Sequence, residues 1–151
     1  MVDNCIRAQI LDRRMQKSEA DRDARHASIF RGHDVVDGIT DIGSLATAAA
    51  PEGPWQKYAG NPVLPLGETG SWDSLSHYLS SVLKVGDRYY LWYVGFKEGN
   101  EVDGKLGLAT ALSPEGPWVK HDGNPVLTPG PPGSWDDGQI GETAVVFLDN
   151  I

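Results

Sequence analysis

Asp73, in "GSWDS", and Glu142, in "IGETAVVF", are carboxylates that stand where polar text gives way to apolar strand text. Carboxylates serve as hydrogen-bond acceptors that fix turns, or as groups that give and take protons. His77 adds a second polar group near Asp73, and Trp72 and Trp135 add flat apolar faces on which a ring can stack. Asp136 and Asp137 complete a second, similar group. What these residues do depends on the elements that hold them.

Those elements are announced by a repeated phrase. "PEGPWQKYAGNPVLPLGETGSWDS" begins at Pro51 and "PEGPWVKHDGNPVLTPGPPGSWDD" at Pro114. A shift of 63 aligns residues 51–88 with 114–151 without a gap, and 17 of the 38 positions are identical, too many for composition bias. Gly60 with Asn61-Pro62, and Gly123 with Asn124-Pro125, break the chain. Trp72 and Trp135 can seal the seam between neighbouring sheets, and Asp73 and Asp136 can accept bonds from loop amides. Residues that recur in this way read first as scaffold.

From Pro51 the text is β. "SSVLKVGDRYYLWYVGF" predicts a strand through Val85, a tight Gly86-Asp87 turn and a strand from Tyr89 to Phe96, apolar or amphipathic on both faces. "KEGNEVDGK" reads as a polar loop, "LGLATALS" as a third strand and "PWVKHDGNPVL" as the start of a fourth. The first 50 residues differ: every Trp, Tyr and Pro lies after them. "AQILDRRMQKSEADRDARHAS" is rich in helix formers, with Ile10, Leu11 and Met15 on one face, so residues 1–50 are expected to be a helical or disordered extension. Residues 51–151 form the folded domain.

Bulk properties exclude several function classes. A net charge of −8 without any basic cluster argues against nucleic acid, while it suits a carboxylate-lined pocket for a neutral ligand. Cys5 is the sole cysteine, and His26, His33, His77 and His121 lack metal-site spacing, so no metal or cofactor is implied. No apolar run is long enough to span a membrane. "LATAAA" faintly suggests a signal-peptidase site, but no apolar stretch precedes it; the localisation is left open.

About four antiparallel strands per period is the signature of β-propeller blades. At this point "GNPVL…GSWDS…SSVLKVGDRYYLWYVGF…LGLATALSPEGPWVK…NPVL…GSWDD" resembles the five-bladed β-propeller glycosidases. That superfamily includes the family 43 arabinanases and xylosidases, the invertase and levansucrase families and the mannoside phosphorylases. "GLATALSPEGPW" resembles their "A-T-S-x-D-G-x-x-W" blade turn, with Pro114-Glu115 where Asp is more usual. The resemblance covers Pro51 to Ile151. It implies an all-β fold with about one and a half blades present, the N-terminal part of a propeller of roughly 300 residues.

The resemblance also implies roles. Asp73 is similar to the "W-D-S" nucleophile of levansucrases, although Asp136 repeats it and that favours fixing a turn. Glu142 stands where these glycosidases carry an axial carboxylate, whereas Leu79-Ser80 occupies the place of the family 43 Asp-Pro. The positions that differ between repeats, His77 against Ile140, Leu79 against Glu142 and Ser74 against Asp137, are the candidates for ligand contact. Trp72, His77, Trp135, Asp136 and Asp137 are therefore the expected sugar-binding residues; the plainer alternative for His77 is a backbone-bonded loop histidine. Glycoside cleavage needs two carboxylates flanking the bond. The expected function is that of part of a glycoside hydrolase, inactive alone because a third carboxylate would come from other blades. A non-catalytic carbohydrate-binding propeller and a vestigial fragment are the alternatives. A carbohydrate ligand and self-association through unpaired blade edges are the expected interactions.

Overall fold

A computed structural model describes residues 26–34 and 40–148. Among them there is no helix. The seven strands are β1 (His26–Asp34), β2 (Thr40–Ala48), β3 (Gln56–Lys57), β4 (Ser76–Val85), β5 (Arg88–Lys97), β6 (Asn100–Ala111) and β7 (Val119–Lys120). They form two antiparallel sheets, a three-stranded one in the order β1-β2-β3 and a four-stranded one in the order β4-β5-β6-β7. The fold is all-β, one complete four-stranded blade preceded by most of another.

The second sheet follows the sequence closely. Val85 pairs with Arg88 across Gly86-Asp87, and Gly86 has a φ of 59°, the left-handed geometry such a turn requires. The hairpin from β5 to β6 is tighter than expected: Lys97 already pairs with Asn100. Most of the expected polar loop "KEGNEVDGK" is therefore strand. Its charged residues are tolerated because this end of β6 faces water, where Lys105 and Asp103 pair at 2.9 Å.

The first sheet corrects the boundary at residue 50. Residues 26–34 and 40–48 are neither helical nor an extension; they pair in register from His26↔Ala48 to Asp34↔Thr40. The helical reading of the stretch before His26, with Ile10, Leu11 and Met15, lies outside the described residues. Alanine-rich "LATAAA" favours helix by propensity, but burial decides otherwise. Ile29, Leu45, Ala46 and Ala48 are buried, and Ile29 and Leu45 join one core with Val63, Leu64, Leu79, Val82, Leu91, Tyr93 and Trp118. "LATA" is thus strand β2, matching "LATA" of β6 at the same shift of 63.

The register repeats as well. Gly43 bridges Leu64 in the first sheet as Leu106 bridges Leu127 in the second. Asn61 Oδ1 accepts from the Leu45 amide at 2.7 Å while its Nδ2 donates to the Leu45 carbonyl at 2.9 Å. Asn124 does the same to Leu108, at 2.9 Å for both bonds. Each asparagine side chain thus imitates a strand residue and fastens its "GNPVL" segment to β2 or to β6. The expected strand at "TAVVF" forms no ladder among the described residues. Instead the Ile140 amide donates to the Gly104 carbonyl at 2.9 Å and the Val145 amide to Ser81 Oγ at 3.2 Å.

Trp72 lies over two glycines of the second sheet. A Cβ on Gly95 would come within 2.5 Å of the indole, and one on Gly107 within 2.6 Å of both Trp72 and Tyr93. Such overpacking costs about 1–3 kcal/mol. Gly107→Ala is expected to destabilise by that amount in urea unfolding, whereas Gly138→Ala, which meets open space, is expected to be near neutral.

Candidate functional site

The turn "GETGSWDS" crosses from β3 to β4 and presses its tip onto the second sheet. Ser74 Oγ donates to the Ser71 carbonyl at 2.9 Å, and the Gly67 amide donates to the Asp73 carbonyl at 3.0 Å, closing the loop on itself. This geometry drives Asp73 inward, leaving it 3% exposed. A buried carboxylate is costly unless it is paired and hydrogen-bonded, and Asp73 is both. Its Oδ1 accepts from Ser71 Oγ at 2.9 Å. Its Oδ2 accepts from Lys120 Nζ at 2.6 Å and from Tyr93 Oη at 3.1 Å. Asn124 Nδ2 in turn donates to Tyr93 Oη at 3.3 Å.

Burial alone would raise the Asp73 carboxyl pKa, but His77, Lys120 and Ser71 together outweigh it and hold the group well below the usual carboxylate range. Tyr93 is pushed the other way, first by burial and then by the Asp73 charge beside its hydroxyl. His77 is fully buried, with Nε2 3.5 Å from Asp73 Oδ2 and with no partner for Nδ1 among the described residues. Its ring tilts against Tyr93 at 4.7 Å. Burial lowers the His77 pKa, and the Asp73 charge only partly opposes this. His77 is therefore neutral in the fold.

Trp72 stacks on Tyr93 with centroids 5.6 Å apart. Together with Gly67, Glu68, Ser71, Asp73, Lys120, His121 and Asn124 they line an open cleft of about 290 Å³. The structure thus brings Asp73, Trp72 and His77 together, with His77 beneath the cleft rather than on its wall. Trp135, Asp136 and Asp137 form the second turn. There Ser134 Oγ donates to Asp136 Oδ1 at 2.8 Å, the Gly133 amide donates to Asp137, and Trp135 is 96% exposed. Glu142 is exposed and joins neither network. Among the described residues no cluster of His, Cys, Asp or Glu is suited to a metal. Sequence reasoning missed Lys120, Tyr93 and Asn124. Lys120 and Asn124 carried a signal, because Lys57 and Asn61 stand at the same places one repeat earlier.

No family model and no curated protein matches the chain. Among solved structures it is similar to a family 117 glycoside hydrolase of the marine bacterium Zobellia galactanivorans, with a TM-score of 0.57 and 27% identity over 70% of this chain. The fold is that of the propeller glycoside hydrolases. A thermostable family 43 glycoside hydrolase is also similar, at a TM-score of 0.36 and 16% identity, covering 72% of this chain and 54% of that one. This chain spans 31% of the family 117 enzyme, about a third of its length.

Two predictions arise from the Asp73 network. Lys120→Met strands a buried anion, a change that costs about 3–5 kcal/mol for fully buried pairs and about 2–3 here, since Lys120 keeps 26% of its side chain in water. The double variant with Asp73→Asn is expected to recover part of that loss; equal stability of single and double variants in urea would refute the coupling. The second concerns acid. Histidine in the unfolded chain takes a proton near pH 6.5 while buried His77 does not, so stability should fall as pH drops below about 6.5. Asp73 has a lowered pKa, so its contribution is present above about pH 4 and is lost further down. His77→Phe is expected to flatten the decline in the urea midpoint between about pH 7 and pH 5. An unchanged slope would assign the effect elsewhere.

Proposed function

We propose that this chain forms part of a propeller protein that acts on glycosidic bonds of oligo- or polysaccharides, and that the 151 residues alone bind carbohydrate without turning it over. The observation that carries this reading is the similarity to the family 117 glycoside hydrolase over 70% of the chain. The cleft supports it: Trp72 offers an aromatic wall, and Glu68, Lys120, His121 and Asn124 offer polar groups for hydroxyls.

The two nominated carboxylates are placed differently. Asp73 is buried and already accepts from Ser71, Tyr93 and Lys120, so its role in this reading is to position the cleft rather than to attack. Glu142 is exposed to solvent but does not line the cleft. Neither nominated carboxylate is thus an exposed group on the cleft wall, where cleavage requires a pair, which favours binding without turnover in the isolated chain.

A glycan array and a hydrolysis assay on the same oligosaccharides test both parts. Binding without hydrolysis is expected, with Trp72→Ala weakening binding about tenfold, the worth of one stacked ring. Hydrolysis by the chain alone would overturn the claim of inactivity. No binding to any glycan would overturn the carbohydrate reading.

A further inference from the structure

The repeat separates what the cleft needs for its construction from what it does not. Gly67, Ser71, Trp72, Asp73, Lys120 and Asn124 line it, and each has an identical residue 63 positions away. The serine–aspartate turn and the asparagine clamp are built alike in both repeats, so these types belong to the scaffold. Tyr93 stands in the place of Phe30, and its added hydroxyl is taken up by Asp73 and Asn124. His121 stands in the place of Tyr58, and both rings fold over a glycine. A Cβ on Gly60 would come within 2.5 Å of Tyr58, and one on Gly123 within 3.0 Å of His121. A flat ring is what that turn demands.

Glu68 is left over. It lines the cleft and is exposed, and its carboxylate has no hydrogen bond or ion pair among the described residues. Its counterpart is Pro131, yet the two build the same turn. The Ser71 amide donates to the Glu68 carbonyl at 2.9 Å, and the Ser134 amide donates to the Pro131 carbonyl at 3.0 Å. Proline serves that backbone equally well, so the turn does not call for a glutamate. What the side chain does set is charge. Lys120 neutralises Asp73 at 2.6 Å, and with histidine neutral Glu68 leaves the cleft one unpaired negative charge.

We infer that Glu68 is a specificity-determining residue of the cleft: it rejects sugars that carry a carboxylate or sulfate, admits neutral ones and favours amino sugars. The inference rests on the carbohydrate reading above and adds the class of sugar to it. Trp72 can take the apolar face of any ring and discriminates little among them. Charge discriminates more. An acidic substituent in the cleft is held beside a like charge, whereas a protonated amine gains an ion pair, and selectivity arises from the unfavourable contact as much as from the favourable one. Glu68 is exposed, so each contact is worth an exposed ion pair, about fivefold in affinity.

Titration of the 151-residue chain with neutral, amino, uronic and sulfated oligosaccharides at about pH 7.5, where free histidine is neutral, tests this. Affinity is expected to fall from amino through neutral to acidic members, with differences that shrink as salt is added. Glu68→Gln is expected to strengthen binding of acidic members about fivefold, weaken that of amino members as much, and leave neutral ones within about twofold. Glu68→Lys is expected to reverse the order. Both variants should keep the wild-type circular dichroism, because the same turn forms with Pro131. Glu98→Gln removes the same charge at an exposed position outside the cleft and is expected to leave the order as it was. A wild-type preference for acidic sugars, an order that survives both Glu68 variants, or one that Glu98→Gln shifts equally overturns the inference while the carbohydrate reading stands. A chain that binds no member of the panel overturns that reading, and the inference with it.

Discussion

The Asp73 carboxylate is the point on which the described structure depends. It arrives on the turn that leads into the first strand of the second sheet, and Lys120 meets it from the last. Tyr93, on the strand between them, closes the triangle, and Asn124 braces Tyr93 from behind. Three stretches of chain, at Asp73, Tyr93 and Lys120–Asn124, are thus tied through one anion. Removing that anion from water is affordable only because each oxygen is met by donors, one of them charged. A neutral histidine beneath the site adds packing without adding a competing charge.

The repeat shows how the same residue types take different environments. Trp72 and Trp135 share a phrase, yet one is pinned between Tyr93 and a pair of glycines and the other stands in water. Asp73 and Asp136 share the serine bond, and among the described residues only the first meets a lysine. The local turn is therefore encoded within the phrase, whereas burial is conferred by the sheet that follows it. Lone repeats of this kind expose apolar faces that stacking neighbours bury.

Much of this was legible beforehand. The Gly86-Asp87 turn, the alternation along Tyr89–Phe96 and the shift of 63 all pointed to blades, and the resemblance of the repeated phrase to the propeller glycosidases pointed to their fold. The first sheet was not legible because its strands lean on alanine and glycine, whose propensities say helix or loop, and only contact with Leu79 and Val82 makes them strands. The Asp73–Lys120 pair was hidden for another reason. Forty-seven residues separate the partners, and no local pattern announces a long-range ion pair. Attention to the recurring lysine and asparagine, as well as to the recurring tryptophan and aspartate, would have found both.

The asparagine clamps carry a wider consequence. Each connecting segment is fastened at one end by Asn61 or Asn124 and at the other by the serine–aspartate turn. Between these anchors the chain reads "PLGET" in one repeat and "TPGPP" in the next, with little in common but a glycine. Apart from that glycine, where a Cβ would meet the carboxylate of Asp73 or Asp136, the composition of the span can drift without disturbing either sheet. Glu68, on the rim of the cleft, lies within it. Chemical selectivity at the rim is thereby uncoupled from foldability, and a library randomised over that short span with Gly67 held fixed would vary the ligand while sparing the scaffold.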